Sequence, residues 1–120
     1  MIDKSLTILV VEDEPIIRMD LALGLADLGY NVLEAGDAAT ALRVMDGSDA
    51  VDVLVTDIDM PGEMNGISLA SEVRRRSDNC RIIIMSGGTP PEPHTMPQHS
   101  PFLAKPLAAN DIVSALVRIP

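Results

Sequence analysis

Residues 51–61 of the chain have the sequence VDVLVTDIDMP. The first part, residues 51–56, is an apolar run rich in β-branched side chains, which is typical of a strand buried on both faces of a parallel sheet. Asp57 and Asp59 follow this run, and Pro61 ends any strand because it lacks a backbone N–H donor. The segment therefore predicts a buried strand whose carboxyl end presents carboxylates.

Similar apolar runs lie on both sides of this segment. They predict further strands at the following places: residues 6–11, 31–35, 81–86 and 102–104. Between the runs, apolar residues recur at helical spacing, with a proline suited to a first helical turn at Pro15 and a plausible N-cap at Asp37. Strands that alternate with helices pair in parallel through right-handed crossovers, so the pattern predicts an α/β protein. We expect residues 1–120 to form a single domain.

The segment between the fourth and fifth predicted strands departs from this alternation. Residues 87–101 begin with Gly87 and Gly88 and are rich in proline. Prolines remove amide donors and restrict the residues before them, which disfavours a helix of several turns. We predict an irregular or mobile loop with at most one helical turn in place of a fourth helix. His94 and His99 in this loop are expected to be solvated.

Composition narrows the classes of function. Nine basic and eighteen acidic side chains give a net charge of −9, which disfavours direct binding to nucleic acid or to an anionic membrane. No apolar stretch is long enough to span a bilayer, and the start of the chain, residues 1–4, lacks the features of a secretory signal. The lone cysteine, Cys80, suits a reducing compartment and is expected to be a buried filler. The expected location is the cytoplasm.

Polar residues follow four of the predicted strands, where ligands of open parallel sheets bind. They are Glu12 and Asp13, then Asp57 and Asp59, then Ser86, then Lys105. Two carboxylates about 4 Å apart repel by roughly 4 kcal/mol at an effective dielectric of about 20, so they need a proton, a lysine or a metal. Oxygen ligands with room for water favour Mg²⁺, and a carboxylate can itself be the nucleophile in phosphoryl transfer.

These motifs, in this order and each after a strand, resemble the receiver domain of bacterial response regulators over essentially the whole chain. The resemblance implies a flavodoxin-like, doubly wound, five-stranded parallel sheet in the order 2-1-3-4-5, with helices on both faces. It also implies that the chain accepts a phosphoryl group from the phosphohistidine of a histidine kinase or a histidine phosphotransfer protein. The downstream protein partner is unknown, and no enzymatic activity is expected beyond the chain's own phosphorylation and dephosphorylation.

The resemblance also assigns roles to individual residues. Asp57 would be the phosphoacceptor, and Mg²⁺, with Mn²⁺ as a substitute, would be held by Asp13, Asp57, the backbone carbonyl of Asp59 and, through water, Glu12. Lys105 would neutralise phosphoryl charge. Ser86 would be the hydroxyl that moves toward the phosphoryl group, and Phe102 the aromatic residue whose burial changes with it. The small residue beside the phosphoryl group would be Gly87.

Two departures from the common pattern of the family are visible. The loop between Pro61 and the helix-opening glycine, Gly66, is one residue longer than usual. The proline-rich segment is shorter than usual, and it disrupts the surface that normally reports phosphorylation. The acidic pocket itself is intact.

Two alternatives remain open at this point. The pair Asp57 and Asp59 is similar to the nucleophile and acid of haloacid-dehalogenase-type phosphatases, although their nucleophile follows the first strand and Asp57 follows the third. A receiver-like interaction module that works without phosphorylation is the other alternative. Sustained turnover of small phosphate esters would favour the first, and failure to form any phosphorylated adduct would favour the second.

Overall fold

The structure, a computed structural model, describes residues 6–47 and 50–119, and within them five strands form one parallel sheet. The strands are β1 (Thr7–Val11), β2 (Asn31–Ala35), β3 (Val53–Asp57), β4 (Arg81–Ser86) and β5 (Phe102–Ala104). Their order is β2-β1-β3-β4-β5, and every neighbouring pair is parallel. The predicted sheet order is therefore confirmed. The start of the chain that the sequence analysis considered, residues 1–4, lies outside the described residues.

Helices cover both faces of this sheet, as predicted. They are α1 (Pro15–Asp27), α2 (Ala38–Gly47), α3 (Gly66–Arg76) and α4 (Ala109–Arg118). Because side chains of a strand alternate between the faces, β1 sends Ile8 and Val10 toward α1 and α4, and Leu9 and Val11 toward α2 and α3. The helices on each face close a separate core, so the central strands are buried on both sides.

The close contact between α1 and α4 depends on a glycine. A Cβ atom built on Gly24 would lie 2.9 Å from the Cβ of Ala109. Real Cβ atoms do not approach so closely, so a glycine on the apolar stripe of α1 lets the two helices meet.

The proline-rich segment contains no α-helix, which confirms the sequence prediction. Between β4 and β5 the described residues contain only a three-residue 3₁₀ helix, Pro93–Thr95. His94 and His99 are exposed, as expected for loop histidines. Cys80 is buried, and burial raises the pKa of its thiol to about 11.

Two strand boundaries differ from the prediction. The first strand begins at Thr7 rather than at residue 6, and the third spans Val53–Asp57 rather than residues 51–56. The Asp52 carboxylate accepts a hydrogen bond of 2.8 Å from the Thr7 N–H, so this donor bonds a side chain, although the Asp52 backbone still bonds Thr7 and Arg81 at 2.9 Å each. At the other end, Asp57 is the last residue of β3 and pairs with Met85 of β4. The predicted acceptor is therefore fixed by the sheet itself.

None of the described helices combines the length and the apolar character that crossing a membrane requires.

Candidate functional site

The carboxyl ends of β1, β3 and β5 bring the predicted charged residues together. Lys105, which follows β5, places its Nζ 2.6 Å from Glu12 Oε2 and 3.0 Å from Asp57 Oδ2. Glu12 and Asp57 are almost fully buried, with 1% and 4% of their surface exposed. One ammonium group thus bridges two buried carboxylates, one directly after β1 and one at the end of β3.

The shared lysine explains how these carboxylates coexist. Burial raises the pKa of Glu12, although hydrogen bonds from the Lys105 ammonium and the Glu14 N–H oppose that rise. Partial burial alone would lower the pKa of Lys105, but its hydrogen bonds to Glu12 and Asp57 outweigh burial, and the pKa is raised. Lys105 therefore stays cationic between the two acids at neutral pH.

A third carboxylate completes an acidic cluster. Asp13 is exposed, and its carboxylate lies with those of Glu12 and Asp57 such that one oxygen from each falls within 4.8 Å of the others. When all three are ionised, Lys105 offsets only one of the three negative charges. The remaining excess of negative charge is the kind that a divalent cation neutralises, and carboxylate oxygens are the ligands that Mg²⁺ prefers. The donor set therefore fits Mg²⁺, with Asp13 on the side open to water.

Two other predicted residues, Ser86 and Asp59, do not join this cluster in the structure. Ser86 is buried at the end of β4, and its hydroxyl accepts a 3.0 Å hydrogen bond from the Gly88 N–H. Within the described residues, that hydroxyl has no hydrogen bond to Asp57 or Lys105. The Asp59 side chain is exposed, and the structure does not bring its carboxylate into the cluster. The predicted roles of Ser86 and of the Asp59 carbonyl remain predictions.

Gly87 follows β4 at the carboxyl edge of the sheet, whereas Phe102 is the first residue of β5. Phe102 is half-buried on β5, pairs with Ile84 in the ladder and packs against the core beneath α2 and α3. Gly87 is exposed, and a Cβ atom on it would meet nothing within 4 Å. The space beside Ser86 is therefore open, which suits a group bound at Asp57. The switching role of Phe102 remains a prediction.

Gly66 supports the site in a way that the sequence did not indicate, since the sequence marked it only as the end of an unusually long loop. It opens α3, donates a 2.9 Å hydrogen bond to the Ile58 carbonyl, and lies against the backbone of Asp57. A Cβ atom on Gly66 would lie 1.8 Å from the Asp57 carbonyl oxygen. Only glycine fits there, so the start of α3 fixes the backbone of the candidate acceptor.

Arg18 is a second supporting residue, and sequence reasoning missed it. Its Nη1 donates to the Glu12 backbone carbonyl at 2.9 Å, and its Nε donates to Glu34 Oε1 at 3.2 Å. A Cβ atom on Gly36 would lie 3.2 Å from the same Nη1. Arg18 thus ties the end of β1 to β2. A basic residue one turn into a helix carries no sequence signal for that role.

The fold and the acidic rim define the class of protein. A doubly wound parallel sheet whose carboxyl edge holds three clustered carboxylates and a bridging lysine is the arrangement of receiver domains. A sequence profile of the response regulator receiver domain matches residues 8–117. The chain therefore belongs to the response regulator receiver domain family.

Individual relatives agree with that assignment. Over 84 residues, which are 69% of this chain, it is 39% identical to the sensor kinase CckA of Brucella abortus (strain 2308) and 40% identical to the DNA-binding transcriptional regulator NtrC of Azospirillum brasilense. The matched stretch is 9% of the first relative and 17% of the second, so the chain corresponds to a small part of either protein.

Solved structures show the same fold. A response regulator receiver protein from Sinorhizobium medicae WSM419 superposes with a TM-score of 0.88 at 27% identity, covering 97% of this chain and 94% of that one. The chemotaxis protein CheY4 of Vibrio cholerae gives a TM-score of 0.83 at 27% identity, covering 97% and 99%. Both are similar to this chain over nearly its whole length.

Proposed function

We propose that this receiver domain accepts a phosphoryl group onto Asp57 from the phosphohistidine of a histidine kinase or a histidine phosphotransfer protein. The observation that carries the proposal is the Lys105 ammonium, which contacts Glu12 and Asp57 at 2.6 and 3.0 Å beside the exposed carboxylate of Asp13. This arrangement provides a nucleophile, a fixed cation and a set of metal ligands at one sheet edge. The signal would then pass to a downstream protein through protein–protein contact.

The transfer follows from the groups in place. A carboxylate oxygen of Asp57 attacks the phosphorus, an O–P bond forms, and the N–P bond of the donor breaks with its electron pair going to the imidazole nitrogen. The Lys105 ammonium already lies 3.0 Å from Asp57 Oδ2, so it is placed to oppose charge on the incoming phosphoryl oxygens. Lys105 would loosen its contact with Asp57 as it does so, while Glu12 keeps it in the site.

When bound, Mg²⁺ would supply a second positive charge that neutralises phosphoryl oxygens, and Mn²⁺ could take its place. Asp13, Asp57 and the backbone carbonyl of Asp59 would hold it, with Glu12 helping through water. Glu12 is engaged by Lys105 in the structure, which agrees with a position behind the direct ligands.

The donor is expected to approach over α1. Four large apolar side chains of this helix are exposed: Ile16 at 77%, Ile17 at 39%, Met19 at 53% and Leu23 at 63%. Ile16 also lines a cavity of about 410 Å³ with Lys105 and Leu107, so the apolar surface reaches the mouth of the acidic site. A donor helix that buries these residues would carry its phosphohistidine toward Asp57.

The net charge and the lone cysteine bear on the binding partners and the cellular location of the chain. With a net charge of −9, the chain is expected to bind neither nucleic acid nor an anionic membrane directly. We place it in the cytoplasm, where Cys80 stays reduced. We expect it to catalyse only its own phosphorylation and dephosphorylation.

Intact-mass spectrometry after incubation with Mg²⁺ and acetyl phosphate tests the proposal. The wild-type chain should gain about 80 Da, the mass of one phosphoryl group, and Asp57→Asn should not. Asp78→Asn is a matched control, because Asp78 is an exposed aspartate near the opposite end of α3. A chain that gains no mass with any phosphoryl donor would contradict the proposal.

Steady turnover of para-nitrophenyl phosphate separates the proposal from a phosphatase. A phosphatase of the haloacid-dehalogenase type would need the Asp59 carboxylate as its acid, yet that side chain is exposed and is not brought into the cluster. We expect no sustained release of para-nitrophenol. Continuous release that depends on Asp59 would favour the phosphatase.

A further inference from the structure

The proline-rich segment is the feature of the chain that the acceptor chemistry does not use. It lies directly after Ser86, and its first half has the sequence GGTPPEPHT, residues 87–95. Pro90 and Pro93 are three residues apart. Because a polyproline II helix has three residues per turn, these two prolines fall on the same edge of such a helix.

The prolines favour that conformation up to Glu92, after which the 3₁₀ helix Pro93–Thr95 begins. Proline fixes its own φ near −65°, and a residue that precedes a proline is pushed toward extended or polyproline II geometry. Thr89, Pro90 and Glu92 each precede a proline. The structure agrees with this at Glu92, whose φ of −59° and ψ of 132° are those of polyproline II rather than of a helix.

The stretch is also presented to solvent. Pro90, Glu92 and Pro93 are exposed, and Pro91 is half-buried. Within the described part of the chain, the carbonyl oxygens of Pro90 and Pro91 accept no hydrogen bond. A solvated backbone with prolines on one edge is the form in which proline-rich peptides are recognised by grooves lined with aromatic side chains.

Both ends of the stretch are anchored to the domain. At the near end, the Gly88 N–H donates to the Ser86 hydroxyl at 3.0 Å. At the far end, the Thr95 hydroxyl and N–H donate to the Glu92 carbonyl at 2.7 and 2.9 Å within a local turn. The attachment of this end to the domain is the packing of Met96 against the core beneath α2 and α3. Anchored ends lower the conformational entropy that a partner must overcome on binding.

The charge of the stretch restricts the partner. Glu92 is the only formally charged residue in residues 87–101. It is exposed between the prolines, so a groove that takes Pro90 and Pro93 must also accommodate its carboxylate. A groove with a basic residue at its rim satisfies that condition, and the net charge of −9 on the chain favours the same sign.

We propose that residues 89–92 form a preformed polyproline II strand by which this receiver docks into an aromatic-lined, basic-rimmed groove of a partner protein. Pro93 stands at the end of this strand, where the 3₁₀ helix Pro93–Thr95 begins. The near end of the strand is tied to the Ser86 hydroxyl through Gly88. Movement of that hydroxyl toward a phosphoryl group on Asp57 would release Gly88 and change how the strand is presented. This coupling rests on the proposed acceptor function, whereas the docking itself does not.

Nuclear magnetic resonance titration of the isotope-labelled whole chain tests the docking. The probes are an SH3 domain and a WW domain, each in a version with lysine and a version with glutamate at the rim of its proline groove. At probe concentrations up to about 1 mM, a lysine-rimmed probe should shift the signals of residues 89–94 and bind more tightly than its glutamate-rimmed counterpart. Pro90→Ala with Pro93→Ala should weaken binding at least about tenfold, and the matched control Pro97→Ala should not.

Each failure overturns a different part of the proposal. If no probe shifts residues 89–94, or if the double alanine variant binds as well as the wild type, the strand is not a recognition element. Equal affinity for the lysine-rimmed and glutamate-rimmed versions of a probe would refute the claim that the partner's groove has a basic rim. Equal affinity with and without Mg²⁺ and beryllofluoride, a phosphoryl mimic, would overturn the coupling to Ser86.

Intact-mass measurement of the same variants keeps this proposal separate from the acceptor function. The double alanine variant should be phosphorylated at the wild-type rate, because both prolines are exposed and neither belongs to the acidic cluster. A chain that is phosphorylated but binds no probe refutes the docking strand alone. A chain that binds a probe but is never phosphorylated refutes the acceptor function alone.

Discussion

Replacing Gly66 by alanine tests how the start of α3 supports the candidate acceptor. The added Cβ atom would lie 1.8 Å from the Asp57 carbonyl oxygen, 2.7 Å from the Asp57 carbonyl carbon and 2.9 Å from the Ile58 Cα. All three are backbone atoms, so no flexible side chain can move aside. Since carbon atoms pack at about 3.5 Å or more, α3 and β3 would have to separate by more than about 1 Å.

The expected loss of stability follows from that displacement. Forcing extra volume into a packed site costs about 3 kcal/mol at the upper end of the usual range. Alanine returns at most about 1 kcal/mol through its better helix propensity, which leaves a net loss of about 2 kcal/mol. Moving the Asp57 backbone by about 1 Å should also slow its phosphorylation by about a hundredfold.

Urea denaturation and the rate of mass gain with acetyl phosphate measure the two effects. Gly47→Ala is the matched control, because a Cβ atom at this last residue of α2 would meet nothing within 4 Å. Its stability should stay within about 0.5 kcal/mol of the wild type. A Gly66→Ala chain with wild-type stability and a wild-type rate of phosphorylation would refute the reasoning.

Two further predictions concern Lys105 and Cys80. Lys105→Met removes the cation between Glu12 and Asp57, so phosphorylation by acetyl phosphate should slow by about 10² to 10³. Lys105→Arg, which keeps the positive charge, should restore part of the rate. An unchanged rate in Lys105→Met would exclude a role of the lysine in neutralising phosphoryl charge. The Cys80 thiol is buried and its pKa is raised from 9.0 to about 11, so iodoacetamide should alkylate the native chain far more slowly than the urea-unfolded chain. Because the pKa of the thiol is raised in the folded state, the stabilisation linked to Cys80 should be complete below pH 9.0 and lost as the pH rises through about 11. This pH dependence of stability should be absent in Cys80→Ala. Equal alkylation rates in the folded and unfolded chains, or identical pH profiles of the variant and the wild type, would contradict the prediction.

The fold was largely predictable because the strands are short, continuous and apolar. The bounds of β2, β4 and β5 agree with those predicted from the sequence. The prolines of residues 87–101 correctly excluded a regular helix, because their effect on the backbone is local. The start of β3 differs from the prediction by two residues, next to Asp52, which bonds Thr7 through both its side chain and its backbone. This contact joins residues 45 positions apart, and no local pattern reveals it.

The candidate site was predictable as a set of residues and not as a set of contacts. The rule that parallel strands place their carboxyl ends at one edge correctly brought Glu12, Asp57 and Lys105 together. The sequence did not indicate that the shorter contact of Lys105 is with Glu12, because that distance depends on where the packed strands place each carboxylate. The supporting contacts of Gly66 and Arg18 depend on backbone positions, which emerge only from packing.

Locating the phosphoryl group on the chain tests the central claim most directly. After incubation with Mg²⁺ and acetyl phosphate, borohydride reduction converts an aspartyl phosphate to homoserine, and peptide mass spectrometry identifies the modified position. The account predicts homoserine at position 57 in the wild type. Modification at Asp13 or Asp59 instead, or no modification under conditions in which the chain remains folded, would contradict it.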